Sequence, residues 1–306
     1  MPDWGEILVE LQTYPNPLHP VDAIRRKYLK QLHDKTGRNI IAYYSAWLQK
    51  TGTLQEKTAI SDEDKNAFMT TVHKLDPSKG LDLILHTPGG DLAATESIVD
   101  YLKSIFDRDI RVIVPQIAMS AGTMIACASK EIIMGKQSNL GPIDPHFGTI
   151  PCQAVVFEIE EAIKTLKEDP QSFPVWQTLI SKYPPAFIQQ CRRAIEFSEE
   201  IVGKWLSGNM FKGHSEAETI TSNIVKNLMS FEKNKMHSRH LDIDECTGIG
   251  LKVFAMENDN VLQDMILSVH HSFIHTIGFN PTTQKIVENH EGRAMFLNSA
   301  LSNNNQ

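Results

Sequence analysis

The chain has 306 residues, of which 41% are hydrophobic and 22% are charged, and its formal net charge is −7 at pH 7. This composition is that of an ordinary globular protein, and the acidic balance argues against nucleic-acid binding. No apolar run reaches the roughly 18 residues of a membrane span, and the acidic start lacks the basic segment of a secretory signal. The four cysteines are far apart, so we expect free thiols in a soluble, cytoplasmic protein.

The N-terminal part of the chain predicts an arm followed by two helices with a strand between them. Residues 1–20 carry four prolines and little periodicity, which favours an irregular arm. The composition of 21–35 is that of a helix, and the apolar run within 38–47 predicts a strand. Ser61 and Asp64 are spaced as a near capping box, so the second helix is predicted to begin there.

The segment 81–147 alternates short apolar runs with helical patterns. Strands are predicted over 81–86, 110–114 and 131–134, and helices over 92–106 and from Ser120 to about residue 128. The turn before the first helix contains Gly89 and Gly90, whose backbone freedom permits a sharp bend, and Asp91 is expected to cap that helix. Helices that cross between successive strands imply a parallel sheet, so the predicted fold class is α/β.

The second half is predicted to be mainly helical and attached to this sheet. Helices are predicted over 155–167, 186–206, 213–228 and 259–277, while prolines interrupt 173–185 and 244–253 is expected to return to the sheet. No clear linker divides the chain, so we expect one domain over 21–290. The polar residues at its end indicate a partly disordered tail over 291–306.

Ser120 and the Gly89-Gly90 turn follow neighbouring strands of the predicted sheet, so they are expected to meet at one edge of it. A hydroxyl that faces free backbone donors is the arrangement of acyl-transfer enzymes, because the hydroxyl attacks and the donors stabilise the oxyanion. The alternative is that Ser120 only supplies a small residue or an N-cap at a tight turn. We favour a nucleophile because the two glycines accompany the serine.

Three segments resemble the Clp protease/crotonase superfamily: the turn at Pro88-Gly89-Gly90, the turn at Met119-Ser120-Ala121-Gly122 and the loop at Gly141-Pro142-Ile143. Within that superfamily the chain is most similar to the serine dehydrogenase proteinase family, which is related to signal peptide peptidase A. The resemblance extends over most of residues 20–290 through four further segments: Gly37-Arg38-Asn39, Ser181-Lys182-Tyr183-Pro184-Pro185, Met210-Phe211-Lys212-Gly213-His214 and Gly250-Leu251-Lys252-Val253.

The resemblance implies a Clp/crotonase-like ββα fold with a mostly parallel sheet and helical C-terminal additions, assembled as a homo-oligomer. It implies a serine peptidase that hydrolyses peptide or protein substrates through an acyl-enzyme on Ser120. It also implies an oxyanion hole formed by the backbone N–H of Ala121 and of Gly89 or Gly90. No cofactor, metal ion or nucleic-acid partner is expected.

Several residues compete for the role of general base. Lys182 is the first choice, because a lysine acts as a base only when it is desolvated, and its apolar neighbours are expected to form such a pocket. His146 is the second, since an imidazole can act near pH 7 without a special environment. His237 and His240 are third, and each of these residues has a structural or surface role as its alternative. Clp-type relatives place their histidine near Asp144, and this departure puts a Ser-His-Asp triad in doubt.

Two other functions stay open on the sequence alone. A crotonase-like enzyme would use the same amide pair to bind a thioester oxyanion and would need no serine. A non-catalytic assembly or binding module would keep the fold without the base. His271 and His275 have the spacing of metal ligands on a helix, but the glutamate of the metallopeptidase motif is missing, so a core or interface role is favoured.

Overall fold

A seven-stranded sheet forms the centre of the protein, in a computed structural model that describes residues 3–15, 20–50 and 55–299. Two further pairs of short strands lie outside this sheet. The strands are β1 (Asn39–Ser45), β2 (Leu81–His86), β3 (Ile110–Val114), β4 (Ile117–Ala118), β5 (Glu131–Met134), β6 (Asn139–Leu140), β7 (His146–Phe147), β8 (Ile150–Pro151), β9 (Val253–Ala255), β10 (Thr283–Asn289) and β11 (Ala294–Asn298).

Helices cover both faces of the sheet. They are α1 (Trp4–Thr13), α2 (Pro20–Thr36), α3 (Gln55–Thr58), α4 (Glu63–Val72), α5 (Leu92–Phe106), α6 (Ala121–Cys127), α7 (Cys152–Glu168), α8 (Phe173–Ile180), α9 (Phe187–Trp205), α10 (Ala217–Met229), α11 (Phe231–Asn234), α12 (Ile243–Gly248) and α13 (Asn260–Phe279). Within the three described ranges, none of these helices is both long enough and apolar enough to cross a lipid bilayer.

The strand order of the central sheet is β11-β10-β1-β2-β3-β5-β9. Strands β1, β2, β3, β5 and β9 run parallel, while β10 and β11 add two antiparallel strands beside β1. The prediction of an α/β fold with a mostly parallel sheet is therefore confirmed. The central strands are mostly apolar because helices bury both of their faces, and the charged residues Asp82 of β2 and Arg111 of β3 form an ion pair with each other.

Successive residues of the central strands belong to two different layers of the core. In β1, Ile41 and Tyr43 pack with helices α4, α5 and α6, whereas Ile40 and Tyr44 pack with α2 and α13. This division follows from strand geometry, which points successive side chains to opposite faces. Ala121, at the start of α6, belongs to the first layer. That layer therefore supports the turn in which Ser120 lies.

The prediction of an irregular N-terminal arm was wrong for the residues that form α1. A capping box closes its first turn, because the Asp3 carboxylate accepts from the Glu6 N–H and the Glu6 carboxylate accepts from the Asp3 N–H. The helix is held in place because Ile7 is buried in the core layer shared by α2 and α13. The rest of the predicted arm includes residues 1, 2 and 16–19, which lie outside the described residues.

The predicted C-terminal tail contains a strand that the sequence did not indicate. Residues 294–298 form β11, which pairs with β10 in an antiparallel arrangement, and β10 pairs in turn with β1. β10 and β11 are neighbours in the chain and form a hairpin, and the pairing of β10 with the distant strand β1 places this hairpin in the sheet. The disorder predicted for 302–306 falls outside the described residues.

A buried ion pair connects β10 to α4. Lys285 Nζ lies 2.8 Å from Asp64 Oδ2, and both side chains are almost completely buried. Lys285 also donates to the Ala59 carbonyl oxygen, while Asp64 accepts from the Tyr43 hydroxyl and from the Ser61 N–H. The hydrogen bond from the Ser61 N–H to the Asp64 carboxylate is one of the two hydrogen bonds of the predicted capping box. The ion pair thus fixes the antiparallel strand against the helix layer.

We expect Lys285→Met to lower the free energy of unfolding by about 3–5 kcal/mol, because a buried charge that loses its partner is strongly destabilising. Urea titration with an unchanged m-value would measure this loss. The double variant Asp64→Asn/Lys285→Met is expected to recover part of it. As a matched control, Lys30→Met breaks the exposed pair with Asp34 and should cost less than about 1 kcal/mol. Equal losses in the two lysine variants would contradict this role of the buried pair.

Candidate active site

Backbone hydrogen bonds join the turns that follow β2 and β3. The Thr87 N–H donates to the Ile117 carbonyl (3.3 Å), and the Met119 N–H donates to the Thr87 carbonyl (3.0 Å). These bonds bring Gly89 so close to Ser120 that a Cβ built on the glycine would lie 2.8 Å from the serine Cβ. Only glycine permits this approach, and the two turns therefore meet at one edge of the sheet.

Ile60 closes the outer side of the diglycine turn. Its N–H donates to the Gly89 carbonyl (2.7 Å), and its carbonyl accepts from the Asp91 N–H (2.9 Å). A Cβ on Gly90 would lie 2.2 Å from the Ile60 nitrogen, so the second glycine is required by this contact. The turn is thus held from both sides, by Ile60 outside and by the Ser120 turn inside.

Two backbone N–H groups beside Ser120 are left without a protein acceptor. Across the described ranges, no group accepts from the Gly90 N–H or from the Ala121 N–H, which is the first of α6. The Gly89 N–H instead donates to the Thr87 hydroxyl (3.2 Å). Of the two glycines, Gly90 therefore has the free donor, and together with Ala121 it can donate to a developing oxyanion.

Ser120 has a backbone conformation that residues other than glycine rarely adopt, with φ 51° and ψ −116°. Such conformations cost about 1–3 kcal/mol, and they occur mainly where function requires a side chain to point in a set direction. The residue is half-buried and lines a cavity rather than the packed core. Its hydroxyl has no hydrogen-bond partner within the described part of the chain.

We expect Ser120→Gly to be more stable than Ser120→Ala by about 1 kcal/mol. Glycine adopts this backbone conformation without strain, and the strain that it relieves exceeds its additional loss of backbone entropy on folding. Chemical unfolding of the two variants would measure the difference. The control compares Ser104→Gly with Ser104→Ala on the exposed face of α5, where glycine should be the less stable by about 1 kcal/mol. The same sign at both positions would rule out strain at Ser120.

The Ser120 side chain lies in a cavity of about 390 Å³. Gly90 and Ala121 line this cavity, and so do the side chains of His146 and His237. Its volume is within the range of small-molecule and peptide side-chain sites. A larger open depression of about 740 Å³ between α9 and α10 has no histidine or cysteine in its described lining, so the cavity at Ser120 is the candidate site.

Asp144 is almost completely buried and binds two imidazole rings at the edge of this cavity. His146 Nε2 lies 2.8 Å from Asp144 Oδ2, and His237 Nδ1 lies 2.9 Å from Asp144 Oδ1. Burial would raise the pKa of Asp144, but hydrogen bonds from His146 and His237 outweigh it and lower the pKa to about 2. The carboxylate is therefore ionised at neutral pH and orients both rings.

Hydrogen bonds to distant segments hold the loop that contains Asp144. The Ile143 N–H donates to the Leu228 carbonyl at the end of α10 (3.1 Å). Leu140 and Leu241 form an antiparallel backbone bridge, in which the N–H of each residue donates to the carbonyl oxygen of the other at 2.9 Å. Leu228 and Leu241 flank the segment that contains His237 and His240, which we call the histidine-rich loop. These contacts therefore bring that loop and the Asp144 loop together.

Lys182 does not lie where the sequence analysis expects it. It follows α8 as an exposed residue and does not line the cavity that contains Ser120. The neighbouring side chains do not enclose it, since Leu179 is itself exposed and the Tyr183 hydroxyl donates to Glu158. The expected apolar pocket around the amine is therefore absent from the described structure.

The other histidines singled out in the sequence lie away from Ser120. His240 is exposed and does not line the cavity. His275 is buried on α13, with its Nε2 3.0 Å from the Trp4 carbonyl oxygen. The His271 ring packs edge-on to the Trp4 indole, with ring centroids 5.8 Å apart. His271 and His275 thus contact α1, as residues of a helix–helix interface do.

Asp144 is an acceptor shared by two histidines, a role that was not expected from the sequence. In the sequence this position stood out only as one where relatives have a histidine. His146 is two residues away in the same loop, which is a local signal for the pair. His237 is 93 positions from Asp144, so no local pattern links them.

His86, the last residue of β2, is buried beneath the diglycine turn. Its ring packs against those of Tyr44, Trp47 and His270, with centroid distances of 5.4, 4.5 and 5.5 Å. Neither ring nitrogen has a hydrogen-bond partner within the described residues. Burial lowers the pKa of His86 to about 3 and also lowers the pKa of His270 well below its ordinary value. Both rings are therefore neutral in the folded protein.

We expect acid to destabilise the fold through His86. In the unfolded chain the His86 imidazole has a pKa near 6.5, whereas in the folded protein its pKa is about 3. The free energy of unfolding is therefore unaffected by this residue above pH 6.5 and decreases as the pH falls from 6.5 toward 3. Between pH 7.5 and pH 5 the loss should be about 2 kcal/mol. The variant His86→Leu should lose about that much less over the same interval in urea titrations. An identical loss in both proteins would contradict the burial argument.

The family model described as ClpP-like SDH-type serine proteinase matches residues 14–268 of the chain. The matched region contains both turns, the Asp144 loop and the histidine-rich loop. It ends within α13, before the two antiparallel strands at the edge of the sheet.

Proteins that are similar in sequence match about a third of the chain. Two uncharacterized proteins of Methanocaldococcus jannaschii are similar to it. The first is 40% identical over 102 residues, which are 33% of this chain and 35% of that protein. The second is 38% identical over 97 residues, which are 32% of this chain and 33% of that protein. The chain thus matches about a third of the length of each.

A solved structure also aligns with the chain. It is a mutant of the 1510-N membrane-bound stomatin-specific protease. The alignment covers 68% of this chain and 79% of that one, with 17% identity and a TM-score of 0.40.

Proposed function

Because the chain belongs to the family of ClpP-like SDH-type serine proteinases, we propose that it hydrolyses peptide or protein substrates through an acyl-enzyme on Ser120. One observation carries this proposal: Ser120, the unpaired N–H groups of Gly90 and Ala121, and two histidines line a single cavity. A nucleophile, oxyanion donors and a base are the three parts that acyl transfer requires.

We assign the role of general base to His237, oriented by Asp144. Its Nδ1 faces the carboxylate at 2.9 Å, which leaves Nε2 for the nucleophile, and this is the polarity of a Ser-His-Asp triad. His146 faces the same carboxylate through Nε2, so it has the opposite polarity and is the second candidate. Contact between the base and the Ser120 hydroxyl is expected to form when substrate binds, since catalytic hydrogen bonds often tighten only then.

The reaction follows from these positions. The Ser120 Oγ attacks the peptide carbonyl carbon while His237 Nε2 accepts the hydroxyl proton. The carbonyl oxygen becomes an oxyanion that accepts hydrogen bonds from the Gly90 and Ala121 N–H groups. The C–N bond breaks as the imidazolium gives its proton to the leaving amine. Water, activated by the same imidazole, then hydrolyses the ester and restores Ser120.

This assignment replaces Lys182, which the sequence alone favours. A lysine base has to be desolvated to be neutral near pH 7, and Lys182 is exposed. An imidazole needs no such environment. The position of Lys182 outside the cavity supports the same choice, and Lys182→Ala becomes a useful control.

A fluorophosphonate probe tests the proposal, because it reacts with serines that are activated as nucleophiles. We expect the wild-type chain to be labelled and Ser120→Ala not to be labelled. His237→Ala should react at least about 100-fold more slowly, which is the usual contribution of a general base. Cleavage of a fluorescent denatured casein should fall in parallel.

Two matched controls separate the candidate bases. Lys182→Ala and His240→Ala change exposed residues outside the cavity and should label within about twofold of wild type. Loss of labelling in Lys182→Ala but not in His237→Ala would assign the base to Lys182. Absence of labelling in wild type from pH 6 to pH 9 would favour the non-catalytic module, and thioester turnover that survives Ser120→Ala would favour the crotonase-like enzyme.

A further inference from the structure

Asp144, His146 and His237 present three metal-binding atoms to one another. One ligand atom from each residue lies within 4.8 Å of the other two. The pairs between nitrogen and carboxylate oxygen measure 2.8 and 2.9 Å, and the two imidazole rings are 4.0 Å apart between centroids. Zinc ligands lie about 2.0–2.1 Å from the ion, which places them about 3.3 Å from one another in a tetrahedron. The two nitrogens contact different oxygens of the carboxylate, and the ligand atoms lie within 4.8 Å of one another, so the rings have to move by about an ångström to reach those distances.

We propose that these three residues form a site for Zn²⁺ and that the bound ion switches off the serine site. Two imidazoles and one carboxylate are a common zinc ligand set with an open fourth position. The same set disfavours Mg²⁺ and Ca²⁺, which prefer oxygen ligands. In the metal-free chain, hydrogens occupy the space between the rings and the carboxylate. Zn²⁺ replaces them, and each ring then carries its proton on its other nitrogen.

The surroundings favour a defined site rather than a flexible surface cluster. The Asp144 side chain is only 4% exposed, and those of His146 and His237 are 16% and 29% exposed. The Cys152 N–H donates to the Pro145 carbonyl (3.0 Å), which fixes the loop between the aspartate and His146. The carboxylate is therefore preorganised, while the partly exposed rings leave a path for an ion to enter.

The position of the cluster explains how a bound zinc ion would inhibit the serine site. His146 and His237 line the cavity that contains Ser120, so a zinc ion bound to them lies at the edge of the serine site. Zinc binds each ring through the nitrogen that faced the carboxylate, so His237 Nε2 carries the proton of the neutral ring and cannot accept one from the serine hydroxyl. This regulatory half of the inference rests on the proposed function, whereas the binding half does not.

Zinc binding is measured directly, on full-length protein dialysed against EDTA, by calorimetry and by competition with a chromogenic zinc indicator. We expect about one Zn²⁺ per chain and no binding of Mg²⁺ or Ca²⁺. His146→Ala, His237→Ala and Asp144→Asn should each weaken the zinc Kd at least tenfold, whereas Ser120→Ala and His240→Ala should leave it within twofold. Equal zinc affinity in all of these variants would overturn the site.

Circular-dichroism melts show whether each variant is folded, and glutamine in place of either histidine serves where alanine unfolds the loop. The rate of fluorophosphonate labelling should then fall in proportion to zinc occupancy and return with EDTA. Zinc that binds at the cluster without slowing the labelling would overturn the regulatory half. If metal-free protein is never labelled, the proposed function fails, while the calorimetry still decides whether the site binds zinc.

Discussion

The candidate site depends on one close approach between two stretches of backbone. Two hydrogen bonds at Thr87 lock the turn after β2 to the turn after β3, and the space left between Gly89 and Ser120 has no room for a Cβ. Ser120 is held at the same place in a conformation that costs free energy. The donors at Gly90 and Ala121 belong to these two turns as well. A small change in this contact would therefore disturb the proposed nucleophile and the proposed oxyanion donors together.

Local patterns were sufficient to predict the elements that build this contact. The strands over 81–86 and 110–114 are mostly apolar, and a strand buried on both faces has that pattern wherever it lies in the chain. The helix that begins after Asp91 has a clear cap and one apolar face. The turns that follow two parallel strands share one edge of the sheet. The meeting of Gly89 and Ser120 therefore follows from the order of the elements.

The environment of the base could not be predicted in this way, because long-range packing determines it. Lys182 has apolar neighbours in sequence, but these do not fold around its amine. His237 meets Asp144 across 93 positions, and only the packing of α10 and the Leu241 bridge brings them together. β11 pairs with its neighbour β10, and the long-range pairing of β10 with β1 places this hairpin in the sheet. In contrast, Asp3 and Glu6 form a local capping box in α1, but the prolines around it favoured an irregular segment and this local signal was not used.

The position of Ile60 limits how a polypeptide can lie in this protein. Many proteins that bind extended peptides do so by adding them as a further strand, which requires a free edge of backbone N–H and carbonyl groups. At the outer rim of the diglycine turn, Ile60 already takes up the Gly89 carbonyl and the Asp91 N–H. An incoming chain finds no edge to extend on that side. If the chain hydrolyses polypeptides as proposed, a substrate has to be recognised at this rim through its side chains and not by strand addition.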